Sequence, residues 1–341
     1  MTAVELKIGI IGCGGISRAH LGGYSQCEGV KIVAAADSVA EKANEMAGKT
    51  GAIPYTDYIE MLDRGDLDGV SIATPPRLHR SIVIAALERG IHVLCEKPLA
   101  MDADEAKDVV EAAEKAGKIL MTAFCHRFHE PVMVAREMIQ SGKLGVPVMF
   151  RNRFGGKRDF SGTWFSEKET AGGGSLMDTS IHSIDLFRYL MGEVEEVFAT
   201  LHTFDKRIEV EDCNILTLKT VDGVLGTIEA SWATPFSTNV IEIYCSEGAF
   251  IVDYMVPYWL HRTSGDSDWI KSEFTKPERF VLQAQHFIEC IREGKTPLVT
   301  GVDGLKANEI ADAAYRSAKT GRAGQVWWKA QNGDDGRISR Y

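Results

Sequence analysis

Near the amino terminus, Ile8-Gly9-Ile10-Ile11 runs into Gly12-Cys13-Gly14-Gly15-Ile16-Ser17. Gly12 and Gly14 stand at the first two positions of a G-x-G-x-x-G turn, and Ser17, small but not glycine, at the third. Such a turn lets the backbone approach a pyrophosphate, whose charge then rests on a helix N-terminus. Glycine turns after strands are common, so the context decides. Asp37 lies 20 residues beyond Ser17, at the end of the next apolar run, where a carboxylate accepts hydrogen bonds from an adenosine ribose. The competing role for Asp37 is a cap on the helix that opens at Ser38. Its charge would repel a 2′-phosphate, and no arginine follows in Ser38-Val39-Ala40, so NAD is expected in preference to NADP.

Two further segments carry reactive side chains. Cys95-Glu96-Lys97-Pro98 ends a short apolar run, and the residue before a proline is held extended, which can project the Lys97 amine. Taken singly, a lysine before a proline is usually a solvated loop residue. The other segment is Gly172-Gly173-Gly174-Ser175-Leu176-Met177-Asp178-Thr179-Ser180-Ile181-His182-Ser183-Ile184-Asp185. If it is helical from Leu176, then Asp178, His182 and Asp185 share one face, at spacings of four and three. A solvated helix face is an equal reading of that stripe. Asp178 and His182 could ligate a metal, but no third clustered His or Cys supports a metal site, and none is expected.

These groups need a scaffold, and the pattern around them supplies it. Leu6–Ile11, Lys31–Ala36, Val70–Ala73, His92–Cys95 and Ile119–Thr122 are short apolar runs. They alternate with helical stretches from near Ser17, at 38–49, at 78–89 and at 102–116, where Asp102 is a candidate N-cap. That alternation predicts an α/β domain, a doubly wound parallel sheet of the Rossmann type, whose ligand crevice lies at the carboxyl ends of the strands. Beyond residue 124 the rhythm changes. A helix at 131–140, a strand at 148–153 and a long helix at 176–191 precede strands at 196–203, 214–220, 226–232 and 240–245. Consecutive strands predict a large open, mostly antiparallel sheet in an α+β domain. Closing helices are expected at 279–292 and 304–319, the last one able to return to the first domain, and the tail after Trp328 is expected to be frayed. The division expected is a nucleotide domain at 1–124 and a second domain at 125–341.

In combination and order, the GCGGIS turn, Ala73-Thr74-Pro75-Pro76-Arg77-Leu78-His79, Glu96-Lys97-Pro98 and the GGGSLMDTSIHSID segment resemble the Gfo/Idh/MocA family, named for glucose-fructose oxidoreductase and inositol dehydrogenase. The resemblance spans nearly the whole chain. It implies an NAD-dependent oxidoreductase that moves a hydride between nicotinamide and the hydroxyl or carbonyl carbon of a sugar, cyclic polyol or sugar derivative. A redox-assisted glycosidase and a catalytically silent dinucleotide-binding regulator are the alternatives. The family's active-site lysine, aspartate and histidine map onto Lys97, Asp178 and His182. Gly12, Gly14, Gly15, Ile16, Asp37, Ser38, Thr74, Pro75, His79, Glu96 and Lys97 are then expected at the cofactor, with the Thr74–His79 segment beside the nicotinamide ribose. Lys97, Arg127, Trp164, Asp178 and His182 are expected at the substrate. Phe165 follows Trp164 where the family often has arginine, and Ser180 stands where glycine is common. The same resemblance, with the tight turn before Pro98, points to a cis Lys97–Pro98 peptide. It further implies a homodimer or homotetramer formed through the second domain's sheet.

Bulk properties narrow the partners. A chain of 341 residues exceeds a single core, and 45% hydrophobic with 25% charged residues suits a globular protein. The net charge of −10 argues against nucleic acid and anionic membranes. No apolar run reaches the ~20 residues that span a bilayer, and no leader pattern precedes the first strand. Seven scattered cysteines without a C-x-x-C pair fit reduced thiols in a cytoplasmic protein.

Overall fold

A computed structural model describes residues 5–235 and 238–326, so the tail after Trp328 lies outside the described residues. The chain divides into two compact units. The first contains Met1–His129, Gly162–Gly173 and Lys276–Asn308; the second contains Glu130–Ser161, Gly174–Thr275 and the chain from Glu309. The sequence reading draws one boundary at 124, whereas the packing draws together three separated stretches for each unit. What joins them is side-chain chemistry distant in sequence. In the first unit, Asn308 Nδ2 donates to Ala100 O (2.9 Å) and Thr122 Oγ1 to Thr300 O (3.1 Å).

The first unit begins with β1 (Leu6–Ile11), α1 (Ser17–Tyr24), β2 (Val30–Ala36), α2 (Ala40–Thr50), β3 (Ile53–Tyr55) and α3 (Tyr58–Leu62). It continues through β4 (Gly69–Ile72), α4 (His79–Glu88), β5 (His92–Cys95), α5 (Ala103–Ala116) and β6 (Leu120–Thr122). The six strands lie in the order β3-β2-β1-β4-β5-β6, and every neighbouring pair is parallel. Sheets covered by helices on both faces need strands that are apolar throughout, and β4 is buried at all four positions. Val70, Ile72, Val93 and Leu120 from the strands pack with Ile82, Val83, Ala86, Val109 and Ala113 from α4 and α5. Asp102 caps α5 as expected, accepting from Glu105 N (2.9 Å). By contrast, α2 opens at Ala40, two residues later than expected, because Asp37 Oδ1 takes Val39 N–H (2.9 Å) and holds 37–39 in a turn. Strand β3 and helix α3 were not expected: three and five residues are too short to show a period.

The second unit is built on α6 (Glu130–Gln140), β7 (Pro147–Gly155), α8 (Ile181–Met191), β8 (Val194–His202), β9 (Cys213–Thr220), β10 (Leu225–Ser231) and β11 (Val240–Cys245). The short α7 (Lys168–Ala171) between β7 and α8 belongs to the first unit. Then come β12 (Gly248–Asp253), β13 (Tyr258–Thr263), β14 (Ile270–Glu273), α9 (Arg279–Glu293), which belongs to the first unit, α10 (Gly301–Thr320), which passes from the first unit to the second after Asn308, and β15 (Gly324–Gln325). Nine strands form one sheet in the order β14-β13-β12-β11-β7-β10-β9-β8-β15. All pairs are antiparallel except β7 with β10, which are parallel. Burial alternates along β9 and β10, so one face is covered and the other open. Phe187 of α8 lies on the covered face against Phe150 of β7, with ring centroids 5.5 Å apart.

Candidate active site

The first unit sets its chemistry along the strand ends. Gly12 has φ +87°, and a Cβ there would lie 2.6 Å from Ala73 O, so the turn after β1 admits only glycine. Gly14 and Gly15 are different: a Cβ at either would meet nothing within 4 Å, leaving open space in front of the first turn of α1. Ser17 is fully buried and donates from Oγ to Gly14 O (2.7 Å), which explains why serine replaces the third glycine. Asp37 Oδ2 accepts from Cys13 N (2.8 Å), so this carboxylate is fixed against the glycine turn. With Oδ1 on Val39 N, it fastens the turn and the entry of α2 together, and carboxylate lone pairs remain for a ribose. Burial and the Asp37 carboxylate push the Cys13 thiol up to about 12, which keeps it protonated. Thr74 Oγ1 is buried with no protein partner, a polar atom waiting for a ligand. Open space over Gly14 and Gly15, a helix N-terminus behind it, an anchored carboxylate and an orphaned hydroxyl together fit a dinucleotide.

Next along these ends is the lysine loop. Lys97–Pro98 is cis, as expected, and Lys97 is half-buried. His79 lies between two loops at these strand ends. It is completely buried, with Nδ1 2.8 Å from Pro98 O and Nε2 2.9 Å from Thr74 O. Its ring ties the Thr74 loop to the Lys97–Pro98 loop. Burial holds the imidazole below its ordinary value of 6.5, against the pull of the two carbonyls. Glu96 is also buried, bonded to His20 rather than exposed beside Lys97. His126 sits in a short 3-10 helix, Cys125–Phe128, and burial among the cations Arg279 and Lys97 and the ring of His129 keeps it well below 6.5. Arg127, expected at the substrate, is buried; its guanidinium donates to Leu298 O (3.1 Å) and Asp303 Oδ1 (2.9 Å). That ion pair anchors the 298–303 stretch. Trp164 is half-buried and stacks on Phe165 with centroids 3.7 Å apart, so the residue that departs from the family pattern is its packing partner.

The second unit supplies the other stripe. The segment after the triple glycine is not α-helical from Leu176: Leu176–Ser180 is a π turn, closed by Ile181 N to Leu176 O, and α8 proper starts at Ile181. Such turns recur at functional sites because they change which side chains share a face. Asp178 and His182, both half-buried, flank this junction, while Asp185 is completely buried. The cause lies in residues the sequence did not single out. Glu211 Oε1 accepts from Gly174 N (3.0 Å) and Leu176 N (2.9 Å), and its carbonyl accepts from Ser175 N (2.8 Å). Tyr315 donates to the same carboxylate oxygen (3.0 Å). Burial raises the Glu211 carboxyl while these donors pull it down. Asn214 bridges the start and end of the turn, donating to Ser175 Oγ and accepting from Ser180 Oγ, each 2.7 Å. Ser180 thus has a use that glycine would lack. Trp232 Nε1 donates to Thr179 Oγ1 (3.0 Å). Nothing in the local sequence flags Glu211 or Tyr315, since a buried carboxylate and an exposed one look alike in sequence.

The oxidoreductase family with an NAD-binding Rossmann fold matches residues 6–124, and the GFO/IDH/MocA C-terminal domain matches residues 132–251. The chain belongs to the Gfo/Idh/MocA family. Its relatives run the full length. A D-xylose 1-dehydrogenase (NADP(+)) of Haloferax volcanii is 30% identical, over 93% of this chain and 99% of its own. A D-apiose dehydrogenase of Paraburkholderia graminis is 29% identical, over 94% and 90%. Among solved structures, a levoglucosan dehydrogenase in complex with NADH superposes with a TM-score of 0.90 at 27% identity, covering 94% of this chain and 99% of that one. Among the described residues no helix is long and apolar enough to cross a membrane.

Proposed function

We propose that this chain is an NAD-dependent dehydrogenase or reductase that acts on a CH–OH carbon of a sugar, cyclic polyol or sugar derivative. The observation that carries it is the anchored pair of Asp37 and the glycine turn, in a chain whose full-length relatives are named sugar dehydrogenases. When bound, the nicotinamide accepts or donates the hydride. His182 takes the proton of the substrate hydroxyl, and the Lys97 ammonium stabilises the developing alkoxide oxygen. Asp178 orients the histidine or the substrate. The unit built on the six-stranded parallel sheet binds the nucleotide, and the unit built on the nine-stranded sheet binds substrate and oligomerises. The cofactor contacts are Gly12, Gly14, Gly15, Ile16, Asp37, Ser38, Thr74, Pro75, Glu96 and Lys97, with His79 acting through the Thr74 carbonyl. Trp164 contacts substrate, and Arg127 supports the site from its ion pair.

Exposed apolar residues on the second unit's strands, Phe198, Ile215 and Met149, support a homo-oligomer that covers the open sheet face. The seven free cysteines support a cytoplasmic setting. The test is the near-ultraviolet absorbance of reduced nicotinamide, followed with NAD against a panel of aldoses, inositols and sugar acids. Turnover on one class names the substrate. Glycoside cleavage without net NAD turnover would overturn the dehydrogenase reading.

A further inference from the structure

Four polar side chains inside the first unit form one run of hydrogen bonds. Tyr24 Oη lies 2.7 Å from Ser71 Oγ, Ser71 Oγ 3.1 Å from His20 Nδ1, and His20 Nε2 2.7 Å from Glu96 Oε1. Tyr24, His20, Ser71 and Glu96 are 2%, 2%, 0% and 5% exposed, so water completes none of these bonds to a significant degree. One assignment of protons satisfies the whole run. Tyr24 donates to Ser71, Ser71 donates to Nδ1 of His20, and Nε2–H donates to the Glu96 carboxylate. The second carboxylate oxygen accepts from Lys97 N (3.2 Å). In this assignment every donor points toward Glu96, and the run ends on its carboxylate. A buried polar cluster contributes little to stability that well-packed apolar residues would not, so this one calls for another role.

Its place in the sheet indicates the role. Glu96 follows β5, and its N–H bonds Ile72 O at the end of β4 (2.9 Å). Asp37, at the end of β2, marks the adenosine side of the switch between β1 and β4. The nicotinamide half of a dinucleotide therefore runs toward the ends of β4 and β5. An oxidised nicotinamide ring carries one positive charge and the reduced ring none. Lys97, the next residue, adds a second cation at the same strand end, which opposes the oxidised ring.

We propose that His20, backed by Ser71 and Tyr24, is a positioning residue that holds Glu96 as a fixed anion at these strand ends, and that this anion favours binding of NAD⁺ over NADH. The inference rests on the cofactor reading above. Glu96 offsets Lys97, so that one site can hold a cationic lysine and a cationic ring together. It acts on the cofactor's oxidation state and not on the substrate.

The experiment is a titration of the full chain with NAD⁺ and with NADH, by fluorescence or calorimetry, with no substrate present. Glu96→Gln keeps the shape and removes the charge. It should weaken NAD⁺ about tenfold relative to NADH, the scale of one unit charge at an effective dielectric of about 20. His20→Leu, which leaves the carboxylate without its donor, should shift the ratio the same way. His20→Gln restores an N–H donor toward Glu96 and should recover most of it, which a merely structural role would not do. If His20→Leu does not fold, Glu96→Gln still reads the ratio alone. An unchanged NAD⁺/NADH ratio in Glu96→Gln, or equal weakening of both nucleotides, would overturn the proposal. Failure of the unaltered chain to bind either nucleotide would overturn the cofactor reading, and this inference with it.

Discussion

At the scale of single residues, the site separates groups that react from groups that hold. Lys97 and His182 are assigned to the first class. His182→Ala should lower kcat by about 10²–10⁴-fold, the usual range for a general base, with NAD affinity nearly unchanged. Lys97→Ala should cost a comparable factor, and the double variant less than the product, because groups acting as one unit are not additive. Near-normal kcat in a folded His182→Ala protein would leave Lys97 as the base. Asp37 fastens Cys13 N and Val39 N, and the proposed function also assigns it to the adenosine ribose. NAD should therefore bind on the order of a hundredfold more tightly than NADP, from a repulsion of about 3 kcal/mol at ~5 Å and an effective dielectric near 20. Equal affinities in a direct titration would remove that role. Arg127 is a holder: its partner Asp303 is half-buried and keeps its bonds from Thr300, so Arg127→Leu should destabilise the fold by about 1–3 kcal/mol, read as a fall in denaturant midpoint.

At the scale of elements, the two glycine-rich segments look alike in sequence and behave oppositely in the fold. The first leaves Gly14 facing open space. The second is packed shut: a Cβ on Gly174 would lie 1.8 Å from Glu211 O. Gly14→Ala should leave the melting temperature nearly unchanged while weakening NAD, because the methyl group fills the space a pyrophosphate needs. Gly174→Ala should cost about 3 kcal/mol or more, the overpacking penalty, and should lower kcat through displacement of the π turn. Parallel thermal melts and NAD titrations check the pair. If Gly174→Ala melts like the unaltered chain, the close approach of Glu211 is not what shapes that turn.

At the scale of the whole molecule, burial in whole or in part disfavours the charged form of several histidines. His79, His126 and His286 are all held below 6.5, in each case chiefly by burial. The unfolded chain takes up protons on these rings below about pH 6.5, and the folded chain does so only at lower pH. Their contribution to stability is thus complete above pH 6.5 and is lost as pH falls through the lowered folded values. The melting temperature should drop between about pH 7 and pH 5, before the carboxylates titrate; a flat profile over that range would contradict the lowered folded values. The open face of the nine-stranded sheet makes a second prediction. Light scattering at micromolar concentration should report a particle heavier than one chain, and a single-chain mass would contradict the oligomer.

Much of this protein was legible in the sequence because the deciding forces are local. Apolar runs of strand length, the Asp102 cap and the positive φ of Gly12 depend on neighbours a few residues away, so periodicity and spacing exposed the parallel sheet and the order of its strand ends. The motifs that carry the family resemblance singled out Lys97, Asp178 and His182. Tertiary structure alone decided where buried charge goes. Arg127 faces Asp303, 176 residues away, and Glu96 faces His20, 76 residues away. Glu211 reaches back to Gly174 and Leu176, 37 and 35 residues away. A desolvated charge must find a partner wherever the fold brings one, and no local pattern records that search. The sequence therefore determined which residues could do chemistry, and long-range polar pairing determined which of them are tied up inside the fold.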